Sequence, residues 1–245
     1  MADISKAMVL AAGFGKRLRP ITDTTPKPLV PVNGRSMLDR TFDTLIKSGI
    51  YSAVVNMHYL GEQIAAHCRK RTDITISISD ERDAILETGG GTVKALDMLG
   101  DDPFVVVNAD TFWIDFEKPN LTRLIEAFDA NKMSILLLVC RMTDTTGHSG
   151  GIDFVMETDG RLSRAARDAE TNNSHGYIYA GAAVYDPSVF AGAPQGSHSL
   201  NIYFDKAIAA GRLFGVVLED GHWFTVGTPQ GLEAVEEKLK ALHAY

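Results

Sequence analysis

The apolar positions of the chain alternate between two rhythms. "AMVLAA" (Ala7 to Ala12) is a short continuous apolar run of the kind a buried strand makes, and it leads into a glycine-containing loop. In "SMLDRTFDTLIKSGI" the apolar positions Met37, Leu38, Phe42, Leu45 and Ile46 fall at helical spacing, and Gly49 closes the pattern. The next segments repeat the alternation: "YSAVVNM" predicts a strand, "LGEQIAAHCRK" a helix, "ITISIS" a strand, "GGTVKALDMLG" a helix, and "PFVVVNAD" a strand that ends in a carboxylate. Such a β-α-β-α-β order implies a mainly parallel, Rossmann-like sheet with helices on both faces, an α/β fold. In sheets of this type ligands gather at the carboxyl ends of the strands, where the opening loop and Asp110 both fall.

From about residue 133 the pattern is richer in strands: "SILLLVC", "IDFVMET", "LSRAA" and "YIYAGAAVY", with the turn signal in "ETDGRL" predicting a hairpin. A helix in "SLNIYFDKAIAAG", a strand in "LFGVVL" and a helix in "GLEAVEEKLKALHAY" complete the reading. No repeat, linker or low-complexity segment interrupts it. The expectation is one mixed-sheet domain over residues 1–245, with an inserted β subregion covering the carboxyl end of the sheet.

Composition narrows the function. With 245 residues and 45% hydrophobic content the chain can bury a full core. Its apolar runs are too short to span a bilayer as helices, and "MADISKAMVLAAG" lacks the apolar core of a signal peptide. Cys68 and Cys140 match neither a disulfide framework nor a metal knuckle. These features predict a cytoplasmic protein that engages no membrane. The net charge of −7 argues against a nucleic-acid partner. Its distribution adds more: residues 1–35 carry Lys6, Lys16, Arg17, Arg19, Lys27 and Arg35 against Asp3 and Asp23, a local +4 that leaves −11 for the remainder. A basic island in an acidic chain suits a small anionic ligand.

The island coincides with "LAAGFGKRLRPITDTTPKPLVPV" (Leu10 to Val32). It is not a P-loop, because Gly13 and Gly15 are two residues apart and Arg17 follows Lys16 where a hydroxyl should stand; nor is it a dinucleotide fingerprint, because Leu18 occupies the third glycine position. The glycines let successive backbone N–H groups converge on phosphate oxygens, and Arg17 can add a bidentate, permanently charged grip. Proline fixes φ and restricts the residue before it, so Pro26 and Pro28 predict that Lys27 is held in an extended, preorganised arm.

This stretch resembles the signature of the sugar nucleotidyltransferases, which join a nucleoside triphosphate to a sugar 1-phosphate and release pyrophosphate. The likeness continues through "ETGGG", "VNAD" and "HWFTVGT". Within the family the short form with "ETGGG" is most similar to the N-acetylmuramate-1-phosphate uridylyltransferases of cell-wall recycling. Mannose-1-phosphate guanylyltransferases share much of the pattern. The left-handed β-helix of longer, acyltransferase-fused members is not expected. The resemblance implies a nucleotide-binding part over about residues 1–130, a sugar-binding part over about 131–228 and a C-terminal helix over about 229–245.

It also implies roles. The backbone of Leu10, Ala11, Ala12 and Gly13 would run along the nucleotide. Gly15, Lys16 and Arg17 would take the β and γ phosphates, with Arg17 stabilising the departing pyrophosphate and Lys27 neutralising the α-phosphate. Glu87, Thr88, Gly89 and Gly90 would form the base-binding turn, with Asn108 beside the nucleotide. Asp110 is the family's position for catalytic Mg²⁺, which polarises the α-phosphate for in-line displacement. Gly151, Ala180 and Gly181 are the expected close-approach positions for the sugar; Tyr177 and Tyr179 serve equally well as sheet residues.

The chain departs from the family in two places. Thr225 stands where a second metal-binding aspartate is usual, leaving Asp205 and Asp220 as the nearest substitutes in sequence. The usual downstream lysine is replaced by a segment offering Arg164, Arg167 and Asp168, with Arg167 the candidate phosphate contact. Thr225 motivates an alternative reading, a nucleotide- or sugar-phosphate-binding protein without turnover. A hydrolase reading rests on "GHSGG" (Gly147 to Gly151), but a nucleophile elbow at Ser149 needs a hydrophobic strand before it and a helix after it, whereas polar "RMTDTT" precedes and strand-like "IDFVMET" follows.

Overall fold

The structure, a computed structural model, describes residues 4–166 and 176–242. Arg167 and Asp168 lie outside the described residues. The strands in chain order are β1 (Lys6–Leu10), β2 (Pro31–Val32), β3 (Arg35–Ser36), β4 (Ser52–Met57), β5 (Thr75–Asp80), β6 (Phe104–Asn108), β7 (Thr111–Asp115), β8 (Ile135–Cys140), β9 (Thr145–Thr146), β10 (Phe154–Met156), β11 (Leu162–Arg164), β12 (Gly176–Tyr185), β13 (Leu213–Val217) and β14 (Gly221–Thr225). The α-helices are α1 (Met37–Lys47), α2 (Gly61–Cys68), α3 (Glu87–Leu99), α4 (Asn120–Ala127), α5 (Asn201–Ala209) and α6 (Pro229–Ala241).

β1 lies between β4 and β6, parallel to both, and β5 extends the parallel set beyond β4. On the other side β12 joins β6 antiparallel, β8 pairs antiparallel with β12, and β13 pairs parallel with β8. The expected hairpin is present as β10 and β11. One nine-stranded sheet therefore takes strands from both halves of the chain.

Alternate residues of the central strands feed two cores. Ala7 and Val9, Ala53 and Val55, and Val105 and Val107 pack with Leu38, Phe42 and Leu45 of α1, Ile64 and Ala65 of α2, and Leu121 and Leu124 of α4. Met8, Val54, Phe104 and Val106 turn the other way, toward Ala95 and Leu99 of α3 and Tyr203, Phe204 and Ala207 of α5. Because side chains alternate faces along a strand, a run buried on both sides reads as continuously apolar. Helix α1 is capped by Ser36, whose Oγ accepts from the Asp39 N–H at 3.0 Å.

The sequence reading left Thr111 to Asn131 without elements; the structure puts β7 and α4 there. β7 pairs with β14, and β14 with β9, so the accessory sheet is gathered from three separate parts of the chain rather than inserted as one block. Its Phe112, Phe224 and Val226 pack with Val235 and Leu239 of α6 and with Leu18, Val30 and Val32 of the basic arm.

β12 changes partners midway. Gly176 and Tyr177 pair with β10, whereas Ala182 to Tyr185 pair with β6, and the register against β8 shifts between Tyr179 and Ala183. Gly181 sits in this irregularity with φ of +81°, and a Cβ there would overlap Thr111 Oγ1. Gly181→Ala is expected to lower stability by about 2–4 kcal/mol, from strained backbone and overpacking together, measured as a shift of the urea midpoint. Burial pushes the Cys68 thiol up to about 11 and the Cys140 thiol up to about 12. A thiol-specific reagent at pH 8 should therefore label neither until the chain is unfolded; prompt labelling of the native protein would contradict the packing.

Candidate active site

β1 and β6 end side by side, with Leu10 in register with Asn108. A cleft of about 380 Å³ opens there, lined by Leu10, Ala11, Ala12, Gly13, Asn108 and Asp110 on one side and Ile85, Glu87 and Thr88 on another, with Asn56, Lys27, Pro28 and Ser199. Nine of the residues expected at a nucleotide site thus share one cavity. Lys27 Nζ lies 2.7 Å from Asp110 Oδ2; the lysine side chain is 11% exposed and the aspartate 42%. The carboxylate therefore faces the cleft while the ammonium reaches it from the protein side.

The arm that delivers Lys27 is not extended. Lys16–Leu18, Ile21–Asp23 and Lys27–Leu29 are three short 3₁₀ turns. Leu29 N–H donates to Pro26 O at 2.8 Å and Val30 N–H to Lys27 O at 3.1 Å, so Lys27 begins a turn after an extended Pro26. Preorganisation comes from this turn and from Gly15, whose φ is +63° and whose missing Cβ clears room for Lys27 Cβ. Gly15 O accepts from Leu18 N–H and from Thr22 Oγ1, both at 2.9 Å.

Gly15, Lys16 and Arg17 stand outside the cleft lining. Lys16 Nζ lies 5.1 Å from the Phe14 ring centroid, and that ring packs on His58 and Tyr59. The exposed Arg17 guanidinium lies over Gly227, 3.6 Å from where a Cβ of that residue would be. Its neighbour two residues earlier, Thr225, pairs with Thr111, the residue after Asp110.

Helix α3 starts at Glu87, ahead of the glycines. Glu87 and Thr88 are exposed to the cleft, but Gly89, Gly90 and Gly91 are buried, and their close approaches are to protein. Cβ atoms at Gly89 and Gly90 would overlap His198 and Gly196, and one at Gly91 would lie 2.6 Å from Glu81 Oε1. The N–H groups of Gly89 and Gly90 donate to His198 O at 2.8 and 3.1 Å.

Sequence reasoning missed two buried residues here: Asn56, which lines the cleft, and Glu81, which lies behind it. Asn56, 2% exposed, accepts from Ala11 N–H at 2.6 Å and donates to Glu81 Oε1 at 2.7 Å. Glu81, 1% exposed, also accepts from Leu86 N–H at 3.2 Å. Burial pushes the Glu81 carboxyl above the usual range, opposed by these two hydrogen bonds. The available signal was polarity in apolar company: Asn56 ends the run "AVVN" and Glu81 follows "ITISISD".

Among the described residues no group of three His, Cys, Asp or Glu side chains converges to hold a metal ion. Asp205 is paired with Arg164 at 2.9 Å, and Asp220 precedes Gly221, at the opposite end from Thr225 of a strand, β14, whose four steps span about 13 Å at strand rise. Neither substitutes for a carboxylate at Thr225. Asp110 alone still fits Mg²⁺, which keeps several waters and needs only one or two carboxylates beside substrate phosphates.

On the expected sugar side, Gly181 packs against Thr111 and Asn108, and Ala180 O accepts from Trp223 Nε1 at 2.8 Å. Gly151 is exposed, with nothing within 4 Å of a Cβ there. None of the three lines the cleft. Tyr177 and Tyr179 are sheet residues, Tyr177 paired with Phe154 and Tyr179 packed on Phe204. Ser149 is exposed in a loop followed by β10 and no helix, so the nucleophile-elbow geometry is absent there. No helix among the described residues is long and apolar enough to cross a membrane.

The chain is 36% identical over 237 residues to the N-acetylmuramate alpha-1-phosphate uridylyltransferase of Caulobacter vibrioides, covering 95% of this chain and 96% of the relative. It is 36% identical over 197 residues to the protein of the same name from Neisseria meningitidis, covering 78% and 80%. A mannose-1-phosphate guanylyltransferase catalytic subunit beta from Xenopus tropicalis is 27% identical, covering 92% of this chain and 62% of the relative. A putative glucose-1-phosphate thymidylyltransferase from Bacillus anthracis superposes with a TM-score of 0.78 at 20% identity, over 98% of this chain and 95% of that one, a likeness of fold. The pattern of the Nucleotidyl transferase family matches residues 6–241, and the chain belongs to that family.

Proposed function

We propose that the chain transfers a uridylyl group from UTP to N-acetylmuramate 1-phosphate, releasing pyrophosphate. The observation that carries the reaction type is Lys27 beside Asp110 at the end of β6, inside a cleft walled by the Leu10–Gly13 backbone. The choice of base and sugar draws support from the two uridylyltransferase relatives at 36% identity. Guanylyl transfer to mannose 1-phosphate is the second reading, supported by the 27% relative.

In this reading a phosphate oxygen of the sugar 1-phosphate attacks the α-phosphorus in line. The bond from that phosphorus to the β-bridging oxygen breaks, and pyrophosphate leaves. Lys27 neutralises charge at the α-phosphate. Arg17, exposed at the edge of the loop, reaches the departing pyrophosphate. Asp110, with substrate phosphates, would hold Mg²⁺, which when bound supplies charge neutralisation and Lewis-acid polarisation at the α-phosphate. No covalent enzyme intermediate is needed. Thr225, paired with Thr111 next to Asp110, brings no charge there, so metal retention would lean on the nucleotide's own phosphates.

Pyrophosphate release with Mg²⁺, crossing UTP, GTP, CTP, dTTP and ATP against N-acetylmuramate, mannose, glucose and N-acetylglucosamine 1-phosphates, tests the reading. Release confined to UTP with N-acetylmuramate 1-phosphate is expected. Silence across the panel with UTP still bound would favour a binding protein instead. Asp110→Ala should abolish turnover, and Lys27→Ala or Arg17→Ala should each lower kcat/KM about 100-fold or more. A near-normal kcat in the Asp110 variant would remove it from the metal role.

A further inference from the structure

The two walls of the cleft are built from distant parts of the chain, yet one buried side-chain pair joins them. The first wall is backbone, Leu10 to Gly13, continuing β1 past the end of its ladder. The second is the Ile85–Thr88 segment that enters α3. Asn56, at the end of β4, takes the Ala11 N–H of the first wall on its Oδ1 and gives its Nδ2 to Glu81 Oε1. The other carboxylate oxygen, Oε2, takes the Leu86 N–H of the second wall. Glu81 is itself fixed by backbone bonds: its N–H donates to Met57 O at 2.8 Å, and its carbonyl contacts His58 Nδ1 at 2.7 Å. Gly91 leaves no Cβ between α3 and the pair, so the helix seats directly on it.

We propose that Asn56 and Glu81 are a positioning pair that sets the separation and tilt of the two walls, and so determines affinity for the nucleoside end of the substrate rather than for its phosphates. The inference rests on the nucleotide lying in this cleft. The pair does not reach the arm, where Lys27, Lys16 and Arg17 supply the cations. The three hydrogen bonds of the chain Ala11–Asn56–Glu81–Leu86 are intramolecular; the first two are buried and the third is partly buried. Removing a member therefore leaves a main-chain N–H without a partner on a cleft wall. The wall shifts to satisfy it, since an orphaned buried donor is costly.

Exchanging the two side-chain chemistries isolates this role. In the double variant Asn56→Asp with Glu81→Gln, one Asp oxygen accepts from Ala11 N–H, the other accepts the amide donor of Gln, and the Gln oxygen accepts from Leu86 N–H. All three bonds are restored with the charge moved.

The test is calorimetric binding of UTP and, separately, of inorganic pyrophosphate to the full chain, with thermal melts alongside. Asn56→Ala is expected to weaken UTP binding about 10- to 100-fold while leaving pyrophosphate within about twofold, and the double exchange to recover UTP binding to within about fivefold. If Asn56→Ala fails to fold, the exchange decides alone. A folded Asn56→Ala that binds UTP as the native chain does overturns the proposal, as does an exchange that unfolds or binds no better than the single variants. A native chain that binds no UTP at all would instead overturn the functional reading above.

Discussion

The central place of β1 constrains everything around the cleft. Both of its edges are taken, by β4 and β6. The chain leaving it at Leu10 must therefore find new partners for backbone groups that the ladder no longer serves, in a place where water is scarce. Leu10 O accepts from Ala109 N–H at 3.1 Å, and Ala11 N–H goes to Asn56. A buried amide left without a partner costs about 1–3 kcal/mol, which explains a 2%-exposed asparagine in an otherwise apolar strand. The same parallel arrangement sends every crossover to a helix and brings the carboxyl ends of β1, β4 and β6 to one edge, so that the cleft follows from topology.

Electrostatics at that edge is spare. Lys27 and Asp110 satisfy one another, and Arg17 adds a further cation near Gly227. Many carboxylates away from the cleft are ion-paired. Asp39 and Asp43 bind Arg71, Asp205 binds Arg164, and Asp80 binds Arg82. Several of these pairs are exposed and contribute little to stability individually.

Much of this was legible in the sequence. Continuous apolar runs such as "AMVLAA" and "FVVV" report strands buried on both faces, and helical spacing in residues 37–46 gave α1 closely. The strand-end placement of Asp110 followed from pattern alone. What was not legible depends on contacts distant in sequence. β7 and β14 are stable because they pair with each other across more than a hundred residues, and neither segment announces that partner locally. The bend at Lys27 defeated a reading from proline alone, since short-range restriction fixes φ but not the i+3 hydrogen bonds that close a turn. The glycines of "TGGG" were legible as close approaches; in the structure Gly89 and Gly90 meet the Gly196–Ser199 loop and Gly91 meets Glu81 and Asn56.

That loop carries a consequence for how the two ends of the site communicate. His198 O holds the Gly89 and Gly90 amides in the first turn of α3, Leu200 N–H donates to Thr88 Oγ1 at 3.0 Å, and His198 Nε2 contacts Tyr203 OH at 2.8 Å on α5. One segment, carried by the second half of the chain, is thereby fastened to the edge on which Glu87 and Thr88 stand. Any ligand that shifts α5 or its leading loop must do work against those bonds, and by thermodynamic reciprocity a ligand held at Glu87–Thr88 biases the loop by the same amount. The fold thus fastens its two halves to each other at the mouth of the cleft through main-chain amides, a linkage that requires no hinge.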